Sequence, residues 1–117
     1  MSIDSPKYTT STTNETLASF AKLACCKPWF DDEYQPPTRD ELVSLFELAG
    51  WKTKKIAQML GVHYTSEKGS ATVRRWRNDE KHPIPYSAWR LALIYAGVVD
   101  PNEDLKQWNE NEFSRID

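Results

Sequence analysis

Arginine is the residue type in this sequence whose chemistry is most informative about function, and three arginines lie in one short stretch. Arg74, Arg75 and Arg77 fall together in the segment ATVRRWRN. A guanidinium presents N–H donors in a planar fork, which matches the oxygens of a phosphate or the O6 and N7 acceptors of guanine. A cationic run by itself more often marks a solvated helix face, with the arginine stems covering apolar surface. The elements that position the run therefore decide its chemistry.

Two short helices are predicted around this run. Apolar residues at helical spacing predict one helix from 52 or 53 to 60 and a second from 70 to about 78. Gly61 can adopt the left-handed conformation that ends the first helix, and Ser70 suits the N-cap of the second. The inward-facing residues are Ile56, Ala57 and Leu60 in the first helix and Val73 and Trp76 in the second. A short cationic helix of this kind fits the major groove of DNA.

The charge distribution supports a nucleic-acid partner although the total charge does not. The chain has 117 residues, a formal net charge of −2 and a pI near 5.7. Residues 38–90 hold ten Lys/Arg and six Asp/Glu. Residues 1–37 hold three Lys/Arg and five Asp/Glu, and residues 91–117 hold two Lys/Arg and six Asp/Glu. A basic middle is thus flanked by acidic ends, which is the distribution that matters for DNA.

Other patterns predict helices on both sides of this pair. Asn14 suits the N-cap of a helix that Pro28 ends, and an aromatic, acidic loop follows at 29–34. Aromatic residues in such a loop pin it to a core more often than they bind a ligand; here they are Trp29, Phe30 and Tyr34. Thr38 and Glu41 form a capping box before an apolar stripe, Leu42, Leu45, Phe46 and Ala49, that ends at Gly50.

The C-terminal third predicts two more helices. The 86–96 segment is apolar on most of its circumference, so its helix either lies in the centre of the fold or packs against a partner chain. Asp100 and Pro101 suit the start of a short helix anchored by Leu105 and Trp108. With no strand signal, the chain is predicted to be an all-α bundle of about five to six short helices. Its segments are a disordered arm at 1–13, a helix and loop at 14–37, a DNA-binding unit at 38–99, and a short helix with an acidic tail at 100–117.

Several function classes are disfavoured. The sequence lacks a glycine-rich phosphate loop and a nucleophile beside a helix-borne histidine, so an enzyme is not expected. Cys25 and Cys26 are neighbours, which rarely bridge, and they predict small apolar residues in a reducing compartment rather than a metal site. No apolar run reaches the roughly 18 residues of a membrane span, and the N-terminus does not resemble a secretory signal. We expect a cytoplasmic protein without a cofactor, a metal or a membrane partner.

Residues 38–97 resemble the helix-turn-helix domain of the phage repressor and Cro family, also called Xre-like. The resemblance rests on Leu42 and Leu45, Gly50 and Trp51, Ile56 and Ala57, Leu60 to Val62, Thr72 to Trp76, Ile84 and Pro85, and Trp89 to Leu91. The chain departs from the family by about six extra residues within 63–69, an insertion whose closure cost grows slowly with length. It also carries Arg77 where an acidic residue is common. The resemblance implies a lambda-repressor-like fold around a lengthened turn.

The resemblance also implies roles for individual residues. The major groove would be faced by Ser70, Ala71, Thr72, Arg74 and Arg75. The phosphate backbone would be contacted by Lys52, Thr53, Lys54, Lys55, Lys68, Arg77 and Lys81. Such contacts fix register without reading sequence. No role is predicted for His63 or Tyr64.

The sequence thus predicts a sequence-specific double-stranded DNA-binding regulator, a repressor of a phage, plasmid or mobile element that acts as a homodimer. Two modules on a two-fold axis can read two half-sites. The candidate dimer interface is Trp89, Leu93, Leu105 and Trp108. The alternative is a protein-binding module on a helix-turn-helix scaffold, such as an inhibitor or antitoxin-like partner. Its support is the acidic pI, the lengthened loop and the 29–34 segment.

Overall fold

Six α-helices and one 3-10 turn form the structure, a computed structural model that describes residues 16–110. The helices are α1 (Leu17–Phe20), α2 (Arg39–Ala49), α3 (Thr53–Leu60), α4 (Ala71–Asn78), α5 (Tyr86–Tyr95) and α6 (Pro101–Glu110), and the 3-10 turn is Ala24–Cys26. Within residues 16–110 the β-type pairing consists of one isolated bridge, between Thr65 and Gly69. The prediction of an all-α bundle is confirmed.

Local sequence signals set the ends of α2. The Thr38 hydroxyl accepts a hydrogen bond from the Glu41 N–H at 3.1 Å, and the Glu41 carboxylate accepts one from the Thr38 N–H at 2.9 Å. This is the predicted capping box, a motif that satisfies two otherwise unpaired N–H groups of the first turn. Gly50 ends the helix with φ 76°, in the left-handed region that favours glycine. Gly61 ends α3 in the same way.

The core lies where α2, α3, α4 and α5 meet. α4 packs against α2 and α3, while α3 also packs against α5 and α1 lies on α2. The fully buried residues include Phe20, Leu45, Ile56, Val73 and Trp89. Burying each large apolar side chain contributes roughly 1.5–3 kcal/mol. This core fixes α3 and α4 side by side and leaves their outer faces to solvent.

The N-terminal helix is shorter than predicted. α1 spans four residues and is capped by Thr16, whose hydroxyl accepts from the Ser19 N–H at 3.0 Å; the predicted cap, Asn14, lies outside the described residues. Leu23 is extended, with φ −73° and ψ 153°, and separates α1 from the 3-10 turn. The turn faces α5, whose Trp89 Nε1 donates to the Cys25 carbonyl at 2.8 Å. Tertiary hydrogen bonding thus replaces the continuous helix.

Arg90 and Asp104 join three segments of the chain. The guanidinium donates to both Asp104 carboxylate oxygens at 3.0 and 2.6 Å, and also to the Cys26 and Lys27 carbonyls at 2.8 and 3.1 Å. Burial disfavours the charged guanidinium, but hydrogen bonds to Asp104 and its negative charge favour it, and the net result is a raised pKa for Arg90. One side chain therefore ties the 3-10 turn, α5 and α6 together. We call this group the Arg90 clamp.

Aromatic residues attach the 29–34 loop, as predicted. The Tyr86 ring lies edge-on to the rings of Trp29 and Tyr34, with centroids 5.2 and 5.5 Å away. Phe30 lies edge-on to Trp108 of α6 at 4.7 Å. The loop is therefore packed against α5 and α6, although Trp29 remains 58% exposed.

The prediction of the dimer interface is wrong for two of its four residues. Trp89 and Leu93 are fully buried within the core, so neither is available to a second copy. α5 is apolar around most of its circumference because it packs into the core of a single chain. Trp108 is half-buried, and Leu105 is 59% exposed.

Residues 16–110 contain no helix that is both long enough and apolar enough to cross a membrane. In the same range, no group of three or more His, Cys, Asp or Glu side chains is placed to hold a metal ion. The two cysteines are buried free thiols. Hydrogen bonding between the two neighbouring thiols, and burial second, raise the pKa of Cys25; the same hydrogen bonding lowers the pKa of Cys26, although burial opposes that shift.

Candidate nucleic-acid interface

α4 has one buried face and one exposed, cationic face. Val73 and Trp76 are buried against α2 and α3, at 0% and 8% exposure. Arg74 and Arg75 are exposed, as is Ala71, while Thr72 is half-buried. Four of the five residues predicted to face the major groove therefore retain solvent-accessible surface on this helix.

The fifth residue, Ser70, is not available to bases. Its side chain is fully buried, and its hydroxyl accepts a hydrogen bond from the Val73 N–H at 3.3 Å. This is the N-cap contact that the sequence also predicts, and it satisfies a first-turn N–H that would otherwise be unpaired. The prediction that Ser70 contacts DNA is therefore wrong, because the cap requires the side chain to turn inward.

Thr53 and Arg77 meet at the N-terminus of α3. The Arg77 guanidinium donates to the Thr53 hydroxyl at 3.2 Å, so the hydroxyl hydrogen remains free to donate elsewhere. Lys52 occupies the N-cap without a side-chain hydrogen bond, which leaves the first N–H groups of α3 without a side-chain cap. Such groups and the helix dipole favour an anion at this end. Lys54 and Lys55 are exposed in the same turn.

The 63–69 loop lies beside this surface. One guanidinium nitrogen of Arg74, Nη1, donates to the Lys68 carbonyl, so Arg74 is attached to the loop while Arg75 projects into solvent. Gly69 has φ 73°, and a Cβ placed there would lie 3.3 Å from Arg74 Nη1 and 3.6 Å from Thr53 Cγ2. The loop therefore ends close to the starts of both α3 and α4.

Tyr64 has a role that the sequence did not reveal. Its hydroxyl accepts a hydrogen bond from Gln58 Nε2 of α3 at 3.2 Å, and Lys54 Nζ lies 6.0 Å from its ring centroid. The contact joins the loop to α3. An aromatic residue inside a polar loop was the available signal, but its partner depends on how the loop closes.

Lys81 lies in the turn that follows α4, three residues beyond the last helical residue, Asn78. Asp79 organises this turn by accepting from the Lys81 N–H at 2.9 Å and pairing with His82 at 2.8 Å. These hydrogen bonds, the Lys81 N–H first, lower the pKa of the Asp79 carboxyl.

The surface formed by α3, the loop and α4 has a strong positive bias. Residues 51–78 contain seven Lys/Arg and one acidic residue, Glu67. We call the exposed part of this segment the cationic face. Its cations are Lys52, Lys54, Lys55, Lys68, Arg74, Arg75 and Arg77.

Two proteins of Escherichia coli, both named transcriptional repressor protein KorC, are similar to this chain. One is 38% identical and the other 35% identical over 77 residues. Each similarity spans 66% of this chain and 84% of the relative. No family model matches the chain, and no solved structure gives a significant match. At this identity and coverage, the chain belongs to the KorC family of transcriptional repressor proteins.

Proposed function

We propose that this protein is a transcriptional repressor that binds double-stranded operator DNA with sequence specificity. In this proposal α4 lies in the major groove, and Ala71, Thr72 and Arg75 contact base edges. The N-terminus of α3 binds a phosphate through Thr53, Arg77 and the unpaired N–H groups of the first turn. The observation that supports the proposal is the cationic face, on which the exposed side of α4 and the N-terminus of α3 lie together.

Charge on this surface explains how an acidic protein can bind DNA. The net charge of −2 belongs to the whole chain, whereas the cationic face holds seven cations and one carboxylate. Coulomb forces between exposed charges fade beyond a Debye length of about 8 Å at physiological salt, so the local surface decides the interaction. The names of the two relatives support repression as the outcome of binding. The Xre-like family assignment stays a prediction.

Binding to duplex DNA across a salt series tests the proposal, after a preferred site has been selected from a random pool. Affinity should fall steeply with salt, because each neutralised phosphate contributes about 0.9 to the log–log slope. Lys55→Ala should weaken binding to all sequences alike and reduce that slope by about 1. Arg75→Ala should cost about 1–3 kcal/mol on the preferred site and relax selection at one base pair.

Lys22→Ala is the matched control for these variants. It removes one exposed charge just after α1, outside both the cationic face and the proposed dimer interface, and should leave DNA affinity unchanged. Absence of DNA binding even at low salt would refute the proposal and would favour a scaffold that binds another protein.

We also propose that the repressor acts as a dimer, because one module of this size reads only a short half-site. After the exclusion of Trp89 and Leu93, the exposed apolar side chains in this region are Tyr95 at 53% and Leu105 at 59%. Sedimentation equilibrium of Leu105→Asp against the unmodified chain tests this interface. Equal association by both proteins would show that α6 is not part of it.

A further inference from the structure

We propose that the 63–69 loop is a second DNA-contacting element, positioned by Arg74, that touches the sugar–phosphate backbone beside the base pairs read by α4. This inference rests on the proposed function, since it takes DNA binding by α4 as given. It assigns Arg74 a different role from Arg75: Arg74 is a positioning residue, and Arg75 is the base reader.

The loop has a fixed conformation of its own. The Thr65 N–H donates to the Gly69 carbonyl at 2.8 Å, and the Gly69 N–H donates back to the Thr65 carbonyl at 3.0 Å. The Thr65 hydroxyl accepts from the Lys68 N–H at 2.9 Å. Three short-range hydrogen bonds therefore close the loop before any partner binds. A pre-ordered loop avoids most of the entropy cost that a flexible one incurs on binding.

Both sides of the loop are attached to the helix pair. Tyr64 is hydrogen-bonded to Gln58 of α3, and the Lys68 carbonyl is hydrogen-bonded to Arg74 of α4. A Cβ at Gly69 would make a tight contact with Arg74 Nη1, at 3.3 Å, and an ordinary contact with Thr53 Cγ2, at 3.6 Å, so the loop passes close to both side chains. Since Thr53 belongs to the proposed phosphate site, the loop is continuous with the cationic face rather than separate from it.

The exposed loop residues have the chemistry of backbone contacts. Ser66 and Lys68 are exposed and can donate hydrogen bonds to phosphate oxygens. The hydroxyl of Thr65 accepts from the Lys68 N–H, so its own hydrogen can also be donated outward. Lys54 lies against the Tyr64 ring and adds a cation at the junction of the loop and α3.

Glu67 provides an internal check on this placement. Residues 51–78 contain seven Lys/Arg and one acidic residue, Glu67, whose side chain is exposed within the loop. A carboxylate close to phosphate is repelled, whereas one that is remote from DNA has no effect. Glu67→Gln should therefore strengthen DNA binding by up to about twofold at low salt, from a repulsion across about 10 Å of water, and by less at physiological salt.

Arg74→Met tests the positioning role without DNA. The substitution keeps most of the aliphatic stem but removes the N–H that donates to the Lys68 carbonyl, so the loop should open more often. Trypsin cleaves after lysine, and Lys68 lies within the loop; cleavage at Lys68 in the free protein should therefore accelerate, while the helix content stays unchanged. An unchanged cleavage rate would show that Arg74 does not hold the loop.

Lys68→Ala tests the DNA contact, with hydroxyl-radical footprinting and the salt slope as readouts. We expect loss of protection at sugars that flank the α4 site, a slope reduced by about 0.9, and unchanged base preference. Lys22→Ala should change neither readout. If the unmodified chain shows no salt-dependent DNA binding, the proposed function and this inference both fail. If it binds, but Lys68→Ala leaves the footprint and the slope unchanged and Glu67→Gln leaves the affinity unchanged, only the loop inference is overturned.

Discussion

Removing the Arg90 guanidinium should strongly destabilise the fold. Arg90→Met retains most of the aliphatic volume but leaves the Asp104 carboxylate without its bidentate partner. It also removes the donor for the Cys26 and Lys27 carbonyls. The substitution therefore removes the contacts from α5 to two other segments at once, the 3-10 turn with the residue after it and α6, while the rest of α5 keeps its packing.

The expected magnitude follows from the burial of the pair. Removing one partner of a buried ion pair costs about 3–5 kcal/mol, because the other charge stays buried and uncompensated. The Arg90 and Asp104 side chains are 10% and 13% exposed, so water partly screens the remaining charge and places the loss near the low end, about 3 kcal/mol. For a domain of about 100 residues this corresponds to a decrease of roughly 12–15 °C in Tm.

Urea unfolding followed by tryptophan fluorescence measures this loss, since the chain has five tryptophans and Trp89 adjoins the substituted residue. Arg75→Met is the matched control, because it removes an exposed guanidinium and should change stability by less than about 0.5 kcal/mol. Combining Arg90→Met with Asp104→Leu should recover part of the loss, since neither charge is then left alone. A loss below about 1 kcal/mol for Arg90→Met, or no coupling between the two substitutions, would refute the clamp as a source of stability.

Three further results are expected. Ser70→Ala should lower the free energy of unfolding by about 1 kcal/mol through loss of the N-cap, as measured by urea unfolding; weaker DNA binding at full stability would contradict that role. The Cys25 and Cys26 thiols should react slowly with an aromatic disulfide reagent in the native protein and rapidly in denaturant, because they are 1% and 7% exposed; fast native reaction would contradict their burial. Burial raises the pKa values of Tyr34 and Tyr86 above the ordinary value. Folding thus favours their protonated forms, so stability should be intact below about pH 10 and fall as the pH rises through the folded-state pKa values. Phenolate absorbance should show two late-titrating tyrosines that titrate normally in denaturant.

Features set by neighbouring residues were predictable from sequence. Thr38 and Glu41 specify the start of α2 because both partners lie within one turn, and Gly50 and Gly61 specify helix ends because few other residues adopt positive φ. The prediction of a continuous N-terminal helix failed because distant residues set the structure there. The break at Leu23 serves hydrogen bonds to α5, more than 60 residues away, which no local pattern encodes.

The candidate site shows the same division. Arg75 and the lysines of α3 could be placed on one surface because two helices with known apolar stripes fix their outer faces. The sequence predicted two roles for Ser70, the N-cap of α4 and a contact with DNA bases. Only the burial of its side chain shows that the first is correct. The contact between Arg74 and the Lys68 carbonyl was not predictable, since it depends on the closed form of a loop without apolar periodicity.

The Arg90 clamp also has a kinetic consequence. It joins Arg90 to carbonyls 64 and 63 positions earlier and to Asp104, 14 positions later, whereas the contacts within each helix are local. Contacts between distant residues require closure of a long chain segment and tend to form after local structure. The clamp should therefore be absent from the transition state for folding, so that its loss accelerates unfolding and leaves the refolding rate nearly unchanged. In a denaturant-dependence plot of the two rates, Arg90→Met should shift the unfolding limb alone, which makes this guanidinium a determinant of how long each folded molecule persists.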